Sequence, residues 1–131
     1  RKLAGETIMA LGKIKADTLE HSTAGTVDTQ YVVDGSVKAY ANQDNGTSLN
    51  KSLNISSLTD NSTGRYELAI TNAFTDANFG QMVCAGSSTG NCSIDTSHNT
   101  AAIMASRIYR TDTSAYLDSG DCNYYGVGDL A

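Results

Sequence analysis

From Val37 onward, apolar and polar positions alternate with the two-residue period of a β-strand. Val37, Ala39 and Ala41 alternate with Lys38, Tyr40 and Asn42, and Asp44-Asn45-Gly46 then supplies residues that tolerate positive φ, a hairpin signal. Leu49, Lys51, Leu53 and Ile55 share one parity, which predicts a strand with Leu49, Leu53 and Ile55 inward and Lys51 near its edge. Asp60-Asn61-Ser62-Thr63-Gly64 is the clearest turn in the chain. After it, Tyr66, Leu68 and Ile70 alternate strictly with Arg65, Glu67, Ala69 and Thr71. Further strands fit residues 80 to 85, 101 to 111 and 122 to 127, separated by the polar stretches GSSTGNCSIDTSHNT and DTSAYLDSGD. Six or seven short strands with turns at this spacing predict an all-β antiparallel sandwich, with a jelly-roll arrangement as one option.

The N-terminal part has a different pattern. Ile8, Met9, Leu11, Ile14 and Leu19 are punctuated by Gly5 and Gly12, with a period that suits strand and helix equally. Residues 1 to 22 hold too few apolar side chains for a core of their own. They read as a connector or stem, with Ile8, Leu11, Ile14 and Leu19 packing against other copies; a frayed linker is the alternative. Residues 23 to 131 form the head domain. At its start, TVDTQYVVDG offers Thr26 as an N-cap and Gly35 as a stop for a two-turn helix carrying Val27, Tyr31 and Asp34 on one face. The β-branched pair Val32 and Val33 makes a strand the competing assignment. The chain opens at Arg1 rather than Met, so a fragment, a processed product or the ordered part of a longer chain is expected.

Composition narrows the function. A chain of 131 residues makes one domain that buries roughly two thirds of its unfolded surface. Charged residues are only 18%, and the formal net charge of −5 argues against nucleic acid, which demands clustered cations. No run of 18 apolar residues exists to span a membrane as a helix. Cys84, Cys92 and Cys122 lack the paired spacing of a zinc site. Cys84 and Cys92 bracket the turn-rich AGSSTGN, so a disulfide closing a loop of about nine residues is geometrically conceivable and would add roughly 2 to 3 kcal/mol. Two thiols buried in strands and one in a loop are the plainer alternative.

Material for catalysis is thin. His21 and His98 are each flanked by Ser and Thr, and neither G-x-S-x-G, H-E-x-x-H nor a P-loop occurs. Asp112, Asp118 and Asp121 could supply a hydrolytic carboxylate pair, but Asp in such loops more often caps turns. Asp118-Ser119-Gly120-Asp121 lacks the repeated acids of a calcium loop. On a three-fold axis His98 could donate one nitrogen to a shared metal or anion site, against the plainer role of a solvated loop histidine. We therefore expect no enzyme, no cofactor and no metal. Asn-x-Ser/Thr at Asn45, Asn50, Asn54, Asn61 and Asn91 arises readily in a chain this rich in those residues. Arg107, Tyr109 and Thr111 share one strand face, and Tyr124 and Tyr125 fall in the last strand. An exposed Tyr109 or Tyr116 would suit a sugar platform; packing in the sandwich or at an interface is the commoner fate.

Four stretches also carry a resemblance. They are Val37-Lys38-Ala39-Tyr40, the Leu-Asn-Ile-Ser-Ser strand with its Asp-Asn-Ser-Thr-Gly turn, Thr-Asn-Ala-Phe-Thr-Asp-Ala-Asn-Phe over residues 71 to 79, and the terminal Gly128-Asp129-Leu130-Ala131. Together they span most of residues 27 to 131, and the chain resembles the terminal domain of bacteriophage fibre proteins, especially those of marine and cyanobacterial phages. Tyr40 stands where that pattern would have Trp, and the three cysteines depart from it. The resemblance implies a small β-rich head, homotrimeric, on the virion surface, without catalytic residues. It implies other virion proteins as partners on the N-terminal side and a host-surface glycan or protein as receptor. Long polar loops on rigid scaffolds usually carry recognition, so residues 86 to 100 are the candidate loop, with Ser87, Ser88, Asn91, His98 and Asn99 as receptor contacts. A structural or decorating virion protein is the first alternative, and a small polysaccharide depolymerase the second.

Overall fold

A computed structural model describes residues 16–44, 47–86, 90–110, 112–118 and 121–131. Its elements are β1 (Thr18–His21), β2 (Gly25–Asp28), α1 (Thr29–Gly35), β3 (Val37–Asp44), β4 (Ser48–Leu53) and β5 (Ile55–Ser62), then β6 (Arg65–Ile70), β7 (Gly80–Ala85), β8 (Gly90–Ile94), β9 (Ile103–Arg110), β10 (Ala115–Tyr116) and β11 (Cys122–Val127). β1 and β2 make a hairpin by themselves. The remaining strands form two antiparallel sheets, one in the order β4-β3-β11-β7 and the other β10-β9-β6-β5 with β8 also pairing β9. The fold is all-β and sandwich-like. No helix among the described residues is long and apolar enough to cross a membrane.

Alternation builds the core. Ala39 and Ala41 of β3 and Cys122 and Tyr124 of β11 meet Tyr66, Leu68 and Ile70 of β6 and Met104 and Ile108 of β9. Each large apolar side chain placed there contributes about 1.5 to 3 kcal/mol. One polar set shares this interior: the Tyr124 hydroxyl donates to Gln43 Oε1 at 2.8 Å and lies 3.1 Å from Ser106 Oγ, tying the two sheets together. Burial first, then the neighbouring Cys122, pushes the Tyr124 phenol above its ordinary range.

The strands expected at residues 80 to 85 and 122 to 127 form as β7 and β11, and the turn after Asp60 joins β5 to β6. Three expectations are corrected. Leu49 to Ile55 is not one strand: the β3–β4 register shifts between Asn42 and Gln43, which flips the parity along β4, and Asn54 then adopts a left-handed φ of 58°. Leu53 consequently points outward at 50% exposure, while Ile55 begins β5 in the opposite sheet. Thr26 is not an N-cap but lies within β2, and α1 begins at Thr29 because pairing with β1 as far as Thr18 opposite Asp28 keeps the backbone extended to that point. Residues 86 to 100 are not one long loop, since β8 runs through them and pairs with β9. Of the two readings of the cysteines, free thiols hold, with all three on strands: Cys84 is exposed on β7, and the Cys92 sulfur on β8 faces that of buried Cys122 on β11 at 3.8 Å.

Of the stem residues, Leu19 sits on β1 opposite Val27, both exposed. Ile8, Leu11 and Ile14 lie outside the described residues. The β1–β2 hairpin bridges residue 22, the expected end of the stem. Two of the stretches that carry the resemblance come together: Phe74 pairs with Leu130, Thr75 N–H donates to Asp129 C=O at 2.9 Å, and Ala131 N–H to Ala73 C=O at 2.9 Å.

Candidate functional site

β6 and β9 lie side by side with Arg65 directly opposite Arg107. Their neighbours Tyr66, Ser106 and Ile108 fill the interior, so strand alternation sends both arginines to the outer face. Like charges in direct cross-strand register repel. Asp95, just after β8, offsets that repulsion: its Oδ2 lies 3.2 Å from Arg65 Nε, 2.7 Å from Arg107 Nε and 3.2 Å from His98 Nδ1. Its Oδ1 accepts from the Ser97 hydroxyl at 2.6 Å and, more weakly, from the Ser97 N–H at 3.3 Å. Asp95 is only 3% exposed. Burial pushes its carboxyl pKa up, but hydrogen bonds from Ser97, Arg107 and His98 outweigh this and hold it below the usual carboxylate range.

The turn carrying Asp95 folds over β9. Asp95 N–H donates to Ala105 C=O, and Ala105 N–H donates to Asn99 Oδ1, which covers Ala105 and fixes the turn. Beyond the arginines stand two aromatic rings, Tyr109 and Tyr116, edge to face at 5.6 Å and exposed by 37% and 49%. Arg107 Nη1 donates to the Tyr116 hydroxyl at 3.3 Å. Ser62, Thr63, Arg65, Arg107 and Tyr116 together line a shallow depression of about 130 Å³. The chemistry on offer is guanidinium hydrogen bonding, hydroxyl groups and an aromatic wall, which suits holding a polar ligand.

Expected contacts fall in different places. His98 joins the Asp95 cluster, Asn99 spends its carbonyl on the turn, and Asn91 on β8 is exposed opposite Tyr109. Ser87 and Ser88, like Thr111, lie outside the described residues. Two of the acidic candidates spend their carboxylates on structural contacts: Asp118 Oδ1 accepts from Gly64 N–H at 2.6 Å, and Asp112 pairs with Arg110; the Asp121 backbone carbonyl accepts from Gly86 N–H. Among the described residues no group of three His, Cys, Asp or Glu side chains could hold a metal ion. Sequence reasoning missed Asp95 and Arg65. Asp-Thr-Ser in SIDTSHNT was the available signal, because Asp accepting from the N–H two residues on is a recurrent turn. No local signal announced Arg65, whose partner lies on a distant strand.

No family model, curated protein or solved structure matches the chain.

Proposed function

We propose that this protein is the homotrimeric head of a bacteriophage fibre, displayed on the virion surface, that binds a host-surface glycan on the outer face of the β6–β9 sheet. The observation that carries the reading is the exposed Tyr109–Tyr116 pair beside Arg107. An aromatic face packs against the C–H face of a sugar ring while a guanidinium donates to its hydroxyls. Binding of this kind is weak at one site, and three copies on one fibre raise it through avidity. The role is recognition and not catalysis.

The double substitution Tyr109→Ala and Tyr116→Ala tests this reading on an array of bacterial surface glycans. We expect wild-type protein to bind a defined subset and the variant to lose most of that signal while its circular dichroism is unchanged. Equal binding by both proteins would refute the assignment. Deleting residues 86 to 100 is a poorer test, since it also removes β8 and Asp95.

A specific observation favours the second reading, a structural or decorating virion protein. Leu53, Tyr40, Tyr125 and Met82 stand in register across β4, β3, β11 and β7, an apolar row on the outer face of the four-stranded sheet. Tyr and Met with no charged residue among them is the composition of an interface centre. In the fibre-head reading the row serves contacts between copies of this chain. If it is the main functional surface, glycan binding is absent and subunit joining is the whole role.

A further inference from the structure

We infer that Arg65 and Arg107 form a subsite for an anionic group, carboxylate or sulfate, borne on a sugar ring that lies against Tyr116. The inference deepens the glycan-binding reading and rests on it. Neutralising Asp95 accounts for one arginine, and Ser97 and His98 already donate to that carboxylate. The second guanidinium is electrostatically surplus: Arg65 and Arg107 bring two positive charges to one buried negative charge. They do so from directly opposed positions on neighbouring strands, where like charges destabilise.

Geometry indicates where the surplus is directed. Both arginines meet Asp95 through Nε. Arg107 makes its remaining contacts through Nη at 3.3 Å to Tyr116 and 3.5 Å to Ser97, the long end of the hydrogen-bond range. Both side chains are about one third exposed, at 29% and 33%, and both line the depression. A guanidinium anchored by a buried carboxylate is already ordered, so its terminal amino groups can grip a planar or tetrahedral oxyanion with little further entropy loss. The depression, about 130 Å³, has room for one charged substituent. Ser62 and Thr63 add side-chain hydroxyls at its rim, and Tyr116 supplies the wall for the ring that carries the substituent. In a chain of net charge −5, this is a local site of opposite sign.

Titration of isotope-labelled protein followed by NMR, at constant ionic strength, tests the inference with three probes: glucuronate, glucose 6-sulfate and glucose. We expect the two acidic sugars to shift the Nε–H resonances of Arg65 and Arg107 and the ring signals of Tyr116 in a saturable way, and glucose to leave them in place. Arg65→Gln should weaken the acidic sugars about tenfold, and Arg65→Lys should weaken them less, with the backbone spectrum otherwise preserved. Equal shifts from glucose would overturn the anionic subsite while leaving the Tyr-based glycan reading to the array experiment. No shift from either acidic sugar would also overturn it, even if the array shows binding to neutral glycans.

Discussion

Replacing Asp95 with Asn removes the charge on which Arg65, Arg107 and His98 converge. The Asp95 carboxyl is held below its ordinary range in the folded protein, so its contribution is complete above the unfolded value of about 3.9 and disappears as the pH falls through the lower folded value. Asp95→Asn should therefore cost about 2 kcal/mol at pH 7, and its stability should decline less steeply than wild type between about pH 5 and pH 2. Urea unfolding at a series of pH values measures this; parallel curves would show that Asp95 is not the source. Gly64 sits at φ +71°, and an added Cβ would lie 2.5 Å from the Ile108 carbonyl oxygen. Gly64→Ala is expected to destabilise by about 1 to 3 kcal/mol in the same assay, and a neutral result would contradict the packing of that turn. The turn itself was legible as Asp60 to Gly64, because Gly at its end supplies the positive φ. That Asp118 caps Gly64 N–H was legible only as a residue type, since the contact joins positions far apart in sequence.

At the scale of elements, period-two alternation read correctly in β6, where Tyr66, Leu68 and Ile70 face the core as their parity requires. It failed at β4, where a register shift reverses which residues face the core, and parity alone carries no trace of a bulge. β8 was hidden for another reason. Gly90, Asn91, Cys92 and Ser93 have weak strand propensity, and pairing with β9 overrides it. The same pairing sets the chemistry of the thiols. Cys92 faces Cys122 across the sandwich, and its hydrogen bond with Cys122, followed by burial, pushes its thiol pKa up. Alkylation of the native protein should therefore label Cys84 fast, Cys92 slowly and Cys122 only on unfolding. Peptide mass mapping over time checks the order, and rapid labelling of Cys92 would contradict it.

For the whole molecule, the two sheets turn different outer surfaces to solvent. The five-stranded sheet carries the Arg–Tyr site, and the four-stranded sheet carries the apolar row of Leu53, Tyr40, Tyr125 and Met82. Next to that row, Asn42 Nδ2 donates to Asn123 Oδ1 at 2.8 Å and Asn50 Nδ2 to Asn42 Oδ1 at 3.0 Å, a polar ladder that holds the strands in register. In the proposed fibre head, this separation would let one face contact other copies while the other stays open to ligand. Such a division was invisible in the sequence, because the apolar row draws one residue from each of four strands and the Arg–Tyr site joins β6, β9 and β10. The all-β class could be read from local alternation, whereas the faces depend on strand order.

The trimeric head is the central claim, and light scattering of the intact chain in solution tests it most directly. We predict a concentration-independent mass three times the 13.8 kDa of one chain, falling toward the monomer when Met82→Asp and Tyr125→Asp are combined on the apolar row. A folded monomer of the wild-type protein at all concentrations would contradict the account.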